Sequence, residues 1–196
     1  MGKVIDEDFV RQEFKQGKIR KKLFPMLTDY GIIDYSENVH SHGLNYITAI
    51  GREINGIAAV SECPIYNQDK TLREVRPDSI WFNKSNNQPL LIAEFERYDN
   101  TASKLKKLKE KIENLLIGYH QLGSRLEYIL FVYWTYEGVT PGNIYNFTSM
   151  LDKGFTLPNG RYISGIDSLQ TDYMIYQAIA AGDRSNLKIN RWMQVR

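Results

Sequence analysis

Between two apolar β-type runs, "PLLIAEFE" and "LEYILFVYW", the chain carries its clearest helix, "YDNTASKLKKLKEKIENLLIGYHQLG". Leu105, Leu108, Ile112, Leu115, Tyr119 and Leu122 recur at steps of three and four, which lays one apolar stripe along a helix. Asp99 or Asn100 can cap its start, and Gly123 can end it. The first run is apolar on both faces until its last residues, as in the middle of a sheet. Strand, helix and strand in this order predict a crossover packed on one sheet face.

The elements before and after extend this frame. Residues 1–30 read as helical, with Phe9, Phe14, Ile19, Leu23 and Leu27 at rough helical spacing, interrupted by Gly17 and Pro25. Their many charges read as the solvated face of a helical pair rather than a dedicated basic arm. Ser41 can cap a helix running to about Glu53, with Asn55-Gly56 ending it. "IAAVSECPIY" and "EVRPDSIWF" read as strands, and "NKSNNQ" as the turn that joins the second to "PLLIAEFE". Beyond "LEYILFVYW", "TPGNIYNFTSMLDKG" predicts a short helix with Pro141 in its first turn. A hairpin follows around Pro158-Asn159-Gly160, then a last helix over "SLQTDYMIYQAIAAGD". The sum is a mixed α/β domain.

Composition narrows the functional classes. The net charge is only +2, so any nucleic-acid surface must come from charge distribution. A single cysteine, Cys63, rules out an internal disulfide and a cysteine-rich zinc site, and fits a reducing cytoplasmic setting. In its strand Cys63 reads as a small buried hydrophobe. No apolar stretch approaches the roughly eighteen residues of a membrane span, and the opening "MGKVIDEDFVRQEF" has no apolar signal core. No membrane partner is expected.

Three acids stand where a buried strand ends. Alternation puts Ile92, Glu94 and Glu96 on one face of the third strand, and Leu91, Ala93 and Phe95 on the other. If "NKSNNQ" closes a hairpin, Asp78 comes beside Glu94 on the same side. Three converging carboxylates cannot all ionise cheaply, so either their pKa values rise or a cation holds them. Oxygen-only ligands suit Mg²⁺ or Mn²⁺ better than zinc. Such an ion can activate water and neutralise phosphate charge. Each half of the pattern also occurs as an ordinary turn or a solvated strand rim.

Pro77-Asp78, followed after fifteen residues by Glu94-Phe95-Glu96, resembles the signature of the PD-(D/E)xK nuclease superfamily. The order of elements is similar to that family's restriction-endonuclease-like αβββαβ core, a central mixed sheet flanked by helices. The likeness covers about residues 40–135, leaving N-terminal helices over 1–39 and C-terminal helical and hairpin additions over 136–196 of one domain. The resemblance implies a Mg²⁺- or Mn²⁺-dependent nuclease acting on phosphodiester bonds, with DNA favoured. Asp78 and Glu94 would bind the metal, with the Phe95 carbonyl as a further ligand and Glu53 assisting from the preceding helix. Glu96 stands where the family usually has lysine, so it would be a metal ligand or a general base. Alternatively a lysine of the next helix, Lys104 or Lys107, fills the vacancy, or the chain is a non-catalytic nucleic-acid-binding or protein-interaction module. Lys104 and Lys107 could track a phosphate backbone, and Arg97 could stabilise phosphate charge, although strand alternation aims it at the opposite face. Many relatives of this kind are dimers; no heptad seam here decides for a homodimer.

Other residues carry plainer readings. His40-Ser41-His42 precedes the first core helix, where a loop or cap role is expected. Tyr133, Trp134, Tyr136, Tyr145, Phe147 and Tyr162 could stack on bases, but their default is core packing.

Overall fold

The computed structural model describes residues 3–35, 37–66, 72–139 and 144–196, with the side chain of Phe147 left aside. Pro141 of the expected helix start lies outside the described residues. The helices are α1 (Glu7–Gln16), α2 (Lys18–Leu23), α3 (Asn38–Glu53), α4 (Ala102–Gln121) and α5 (Ile144–Lys153). The strands are β1 (Ile57–Ser61), β2 (Ser79–Asn83), β3 (Pro89–Arg97), β4 (Tyr128–Tyr136), β5 (Phe155–Thr156), β6 (Tyr162–Ile163), β7 (Asp172–Ala181) and β8 (Lys188–Gln194). Six of them form one mixed sheet in the order β1-β2-β3-β4-β7-β8, while β5 and β6 make a separate hairpin. Strand β4 runs parallel to both β3 and β7, and the other pairs are antiparallel.

Apolar side chains on the two sheet faces make two cores. Trp81, Leu91, Ala93, Phe95, Leu130 and Val132 pack under α1, α2 and α3. Ile80, Ile92, Ile129 and Phe131 pack under α4 and α5. The expected alternation along β3 is therefore observed, with Glu94 and Glu96 projecting to the α4 side. No helix of the described residues is long and apolar enough to cross a membrane.

Local chemistry sets the element ends. Asp6 caps α1 by accepting from the Phe9 N–H at 3.0 Å, and Gly17 ends it at φ +67°. The buried Glu13 carboxylate accepts from the N–H groups of Ile19 and Arg20 and from the Tyr46 hydroxyl, which ties α1, α2 and α3 together. Helix α4 is capped by Thr101, one residue beyond the expected cap; its hydroxyl accepts from the Lys104 N–H at 3.4 Å. Helix α3 starts at Asn38 rather than at Ser41, so His40 and His42 belong to its first turns instead of a loop.

Two expectations fail in the C-terminal part. "DYMIYQAIAA", read as the last helix, is strand β7 in the middle of the sheet. It is buried on both faces, so its polar residues mark no alternation that would identify a strand. With β8 beside it, the supposed additions supply two of the six sheet strands. Cys63 lies just past β1 and is only half-buried, because it is beyond the strand's cover.

Close helix–sheet packing depends on two glycines of α3. A Cβ at Gly51 would lie 2.6 Å from Trp81 Cε2, and one at Gly43 would lie 2.2 Å from the Phe95 ring. Gly51→Ala is expected to cost about 1–3 kcal/mol through overpacking, read as a lower urea midpoint with an unchanged slope. An unchanged midpoint would mean that α3 can shift away from the sheet without loss.

Candidate active site

The β2–β3 hairpin delivers the acids. Ser79 pairs with Ala93 and Ile80 with Ile92, so the register continues to place Asp78 opposite Glu94. Both carboxylates are buried, Glu94 completely. Asp78 is fixed by the Phe95 N–H, which donates to Oδ2 at 2.7 Å. Its Oδ1 lies 3.2 Å from Lys111 Nζ and 3.4 Å from His40 Nε2. Lys111 Nζ also donates to Glu94 Oε2 at 2.6 Å. One ammonium thus bridges the two acids, while Glu94 Oε1 is buried without a hydrogen-bond partner among the described residues.

Helix α4 supplies this cation and two more. Lys104, Lys107 and Lys111 stand at i, i+3 and i+7, on one helix face directed at β3. Lys107 Nζ is 3.2 Å and Lys104 Nζ 3.9 Å from the Glu96 carboxylate. Glu96 Oε1 also accepts from the Arg97 N–H at 3.0 Å, whereas Oε2 makes an ion pair with no hydrogen bond. Asp34, Glu37, His40, Glu96, Lys104 and Lys107 line a cleft beside the Asp78–Lys111–Glu94 cluster.

The electrostatics split the two acids. Burial opposes the charge on Asp78, but His40, Lys111 and the Phe95 amide outweigh it and hold its pKa at about 2. Burial, reinforced by the Asp78 charge, pushes Glu94 well above the ordinary carboxylate range despite Lys111. Lys111 is raised: burial opposes its charge, and the two carboxylates overcome that. His40 is likewise raised against its burial by the hydrogen bond and charge of Asp78. Of the two carboxylates, Asp78 therefore holds the negative charge and Glu94 is the readier proton acceptor.

Not every expected residue joins the cluster. Glu53 is exposed at the far end of α3 from His40, about 20 Å of helix away, so it does not assist the acids. Arg97 donates to Asp34 at 3.0 Å and lies over the Trp134 ring at 5.0 Å. Its charge is already engaged at the cleft margin. Tyr133 and Trp134 are core residues, and the Tyr136 hydroxyl donates to Asp34. Tyr145 and Tyr162 are exposed on α5 and β6. His40 and Lys111 are the two cluster members that sequence reasoning did not place.

Among the described residues no group of three or more His, Cys, Asp or Glu side chains is arranged to hold a metal ion. Two facing carboxylates with one unpartnered oxygen still fit a hard cation of the Mg²⁺ type, which keeps several waters and needs only one or two carboxylates. Comparisons of the chain with protein-family models, with curated proteins and with solved structures gave no match.

Proposed function

We propose that the chain is a Mg²⁺- or Mn²⁺-dependent nuclease that hydrolyses phosphodiester bonds in DNA. The observation that carries this reading is the pair of buried acids, Asp78 and Glu94, facing each other from adjacent strands around Lys111. The order α3-β1-β2-β3-α4-β4 supports reading the centre as the αβββαβ core of the PD-(D/E)xK superfamily. Asp78 and Glu94 would hold the metal, with the Phe95 carbonyl as a further donor by the same resemblance. When bound, the ion supplies Lewis-acid charge to the phosphate and to the attacking water.

The protein's own groups do the rest. The Phe95 amide and His40 keep Asp78 ionised and oriented. Lys111 would take the place left by the missing motif lysine: from α4 it brings an ammonium against both acids, where it would face a phosphate bound beside them. Glu96 sits between Lys104 and Lys107, which suits it to positioning these two cations against flanking phosphates. Arg97, tied to Asp34, contributes positive potential to the cleft rather than a free phosphate contact.

One observation favours a second reading. Lys111 already bridges Asp78 and Glu94, as it would in a non-catalytic nucleic-acid-binding or protein-interaction module. Metal binding separates the two. With Mn²⁺ or Mg²⁺, the melting temperature of wild type is expected to rise by several degrees and that of Asp78→Asn to stay put. Wild type, and not Asp78→Asn, is then expected to cut DNA in a metal-dependent way. Absence of both effects overturns the nuclease reading.

A further inference from the structure

The first two turns of α3 have two sides. One side contributes Val39 and His40, with the N-cap Glu37, to the acid cleft. The other contributes Ser41, His42 and Asn45 to a separate groove, whose opposite wall is Leu23 and Phe24 from the end of α2. The two depressions therefore share one short piece of helix. Leu23 is 49% exposed. Tyr35, whose carbonyl accepts from the Asn38 N–H at the start of α3, is 73% exposed.

Charge accompanies this apolar surface. Lys18, Lys21 and Lys22 of α2 are all exposed. None of them has an ion partner among the described residues, unlike Lys106 and Lys109 on the outer face of α4, which pair with Glu110 and Glu113. A groove walled by Leu23 and the half-buried Phe24, whose ring also packs on Tyr46 at 5.7 Å, with a rim of hydroxyl, amide and imidazole groups and with exposed lysines one and two residues before Leu23 in α2, matches the chemistry of a nucleotide: a flat base with polar edges on an anionic backbone. The base must be unpaired, since the faces of stacked, paired bases are closed to such a wall.

We infer that this groove holds an unpaired strand of the nucleic acid as it enters the acid cleft. Phe24 and Leu23 pack against a base, Lys21 and Lys22 contact the adjoining phosphates, and Tyr35 stacks on the next base toward the cleft. The inference rests on the phosphodiesterase reading and narrows its substrate class to DNA with a single-stranded segment, such as an end, a flap or a gap.

The test is fluorescence anisotropy with a labelled single-stranded DNA of about fifteen nucleotides, compared with a hairpin duplex, in EDTA and about 100 mM salt. Wild type is expected to bind the single strand at least about tenfold more tightly than the duplex. The double reversal Lys21→Glu/Lys22→Glu is expected to weaken strand binding by about tenfold or more and to flatten its salt dependence. Tyr35→Ala is expected to weaken it by about fivefold or more. A charge-matched control, Lys84→Glu/Lys153→Glu, alters exposed lysines at the hairpin turn and at the end of α5. It is expected to change binding by less than about twofold. All five sites are exposed, so melting temperatures should match wild type.

Duplex preferred over single strand, or equal losses in both double variants, overturns the inference. So does binding to vesicles of anionic phospholipid, lost in the α2 double variant and unaccompanied by oligonucleotide binding; that result assigns the patch to a membrane surface. Failure of the underlying reading looks different. Strand binding that depends on Lys21 and Lys22, with no metal-dependent cleavage by wild type, leaves the groove standing and removes the nuclease. Cleavage lost in Asp78→Asn, with strand binding unchanged in the double variant, does the reverse.

Discussion

Replacing Lys111 with methionine is expected to destabilise the metal-free protein by about 3–5 kcal/mol, because it leaves a buried carboxylate pair without its cation. DNA cleavage is expected to slow by about a hundred- to a thousand-fold, the usual weight of one positioned charge facing the transition state. The two effects have separate causes and respond differently to metal. Methionine keeps the length and packing of the lysine stem, so the loss reports the ammonium. The residual pair, Asp78 and Glu94, then has stronger reason to take up Mn²⁺, and the variant's melting temperature should rise more on metal addition than that of wild type. If saturating metal restores stability and cleavage together, Lys111 is a placeholder for the ion. If it restores stability alone, Lys111 acts in the reaction. An unchanged metal-free melting temperature would mean that the 2.6 Å contact with Glu94 is not a stabilising one.

Why Lys111 escaped the sequence reading is a matter of helix rotation. The α4 segment has lysines at positions 104, 106, 107, 109 and 111, and their spelling is alike. Only the orientation of the helix over the sheet decides which of them turn inward. A usable signal was present. Lys111 is flanked by Leu108, Ile112 and Leu115, all fully buried, so it borders the apolar stripe and lies two turns along from Lys104. A lysine in that position must either reach water along its stem or meet acid, and β3 supplies acid. The hairpin acids were legible for the opposite reason: alternation and a short turn fix facing residues by counting alone.

The C-terminal strands show the limit of such counting. In β3 the two buried polar residues, Glu94 and Glu96, mark the strand's period. In β7 the only buried polar side chain is Gln177, whose amide donates to the Thr135 hydroxyl of β4 at 2.9 Å. That partner is 42 residues away, and nothing local announces it. The Ala-rich end, "AIAA", then favours a helical reading on propensity. Position in the sheet overrides that propensity, because β7 gains a parallel partner in β4 and an antiparallel one in β8.

Glu94→Gln is expected to abolish cleavage and yet raise the melting temperature of the metal-free protein at pH 8. An acid whose folded pKa is raised costs stability above its unfolded pKa; the cost grows until the pH passes the folded value and is constant beyond. Glu94 is in this class, through burial and the neighbouring Asp78 charge. Asp78 has the opposite sign. Its pKa falls from 3.8 to about 2, which contributes about 2–3 kcal/mol above pH 4 that is lost as the pH drops toward 2. Glutamine at position 94 removes the cost, keeps an amide oxygen for Lys111, and leaves the Asp78–Lys111–His40 contacts in place. The variant should therefore be more stable at pH 8, and its advantage should shrink as the pH falls toward the unfolded carboxylate value of about 4.3. Asp78→Asn should be less stable than wild type at the same pH 8. Thermal melts of the three proteins in EDTA at pH 5 and pH 8 check both signs. A Glu94→Gln protein that melts below wild type at pH 8 would show that the Lys111 contact outweighs the burial of the carboxylate. The acid would then serve the fold, and the site would lose the mark of a group kept against stability for the sake of chemistry.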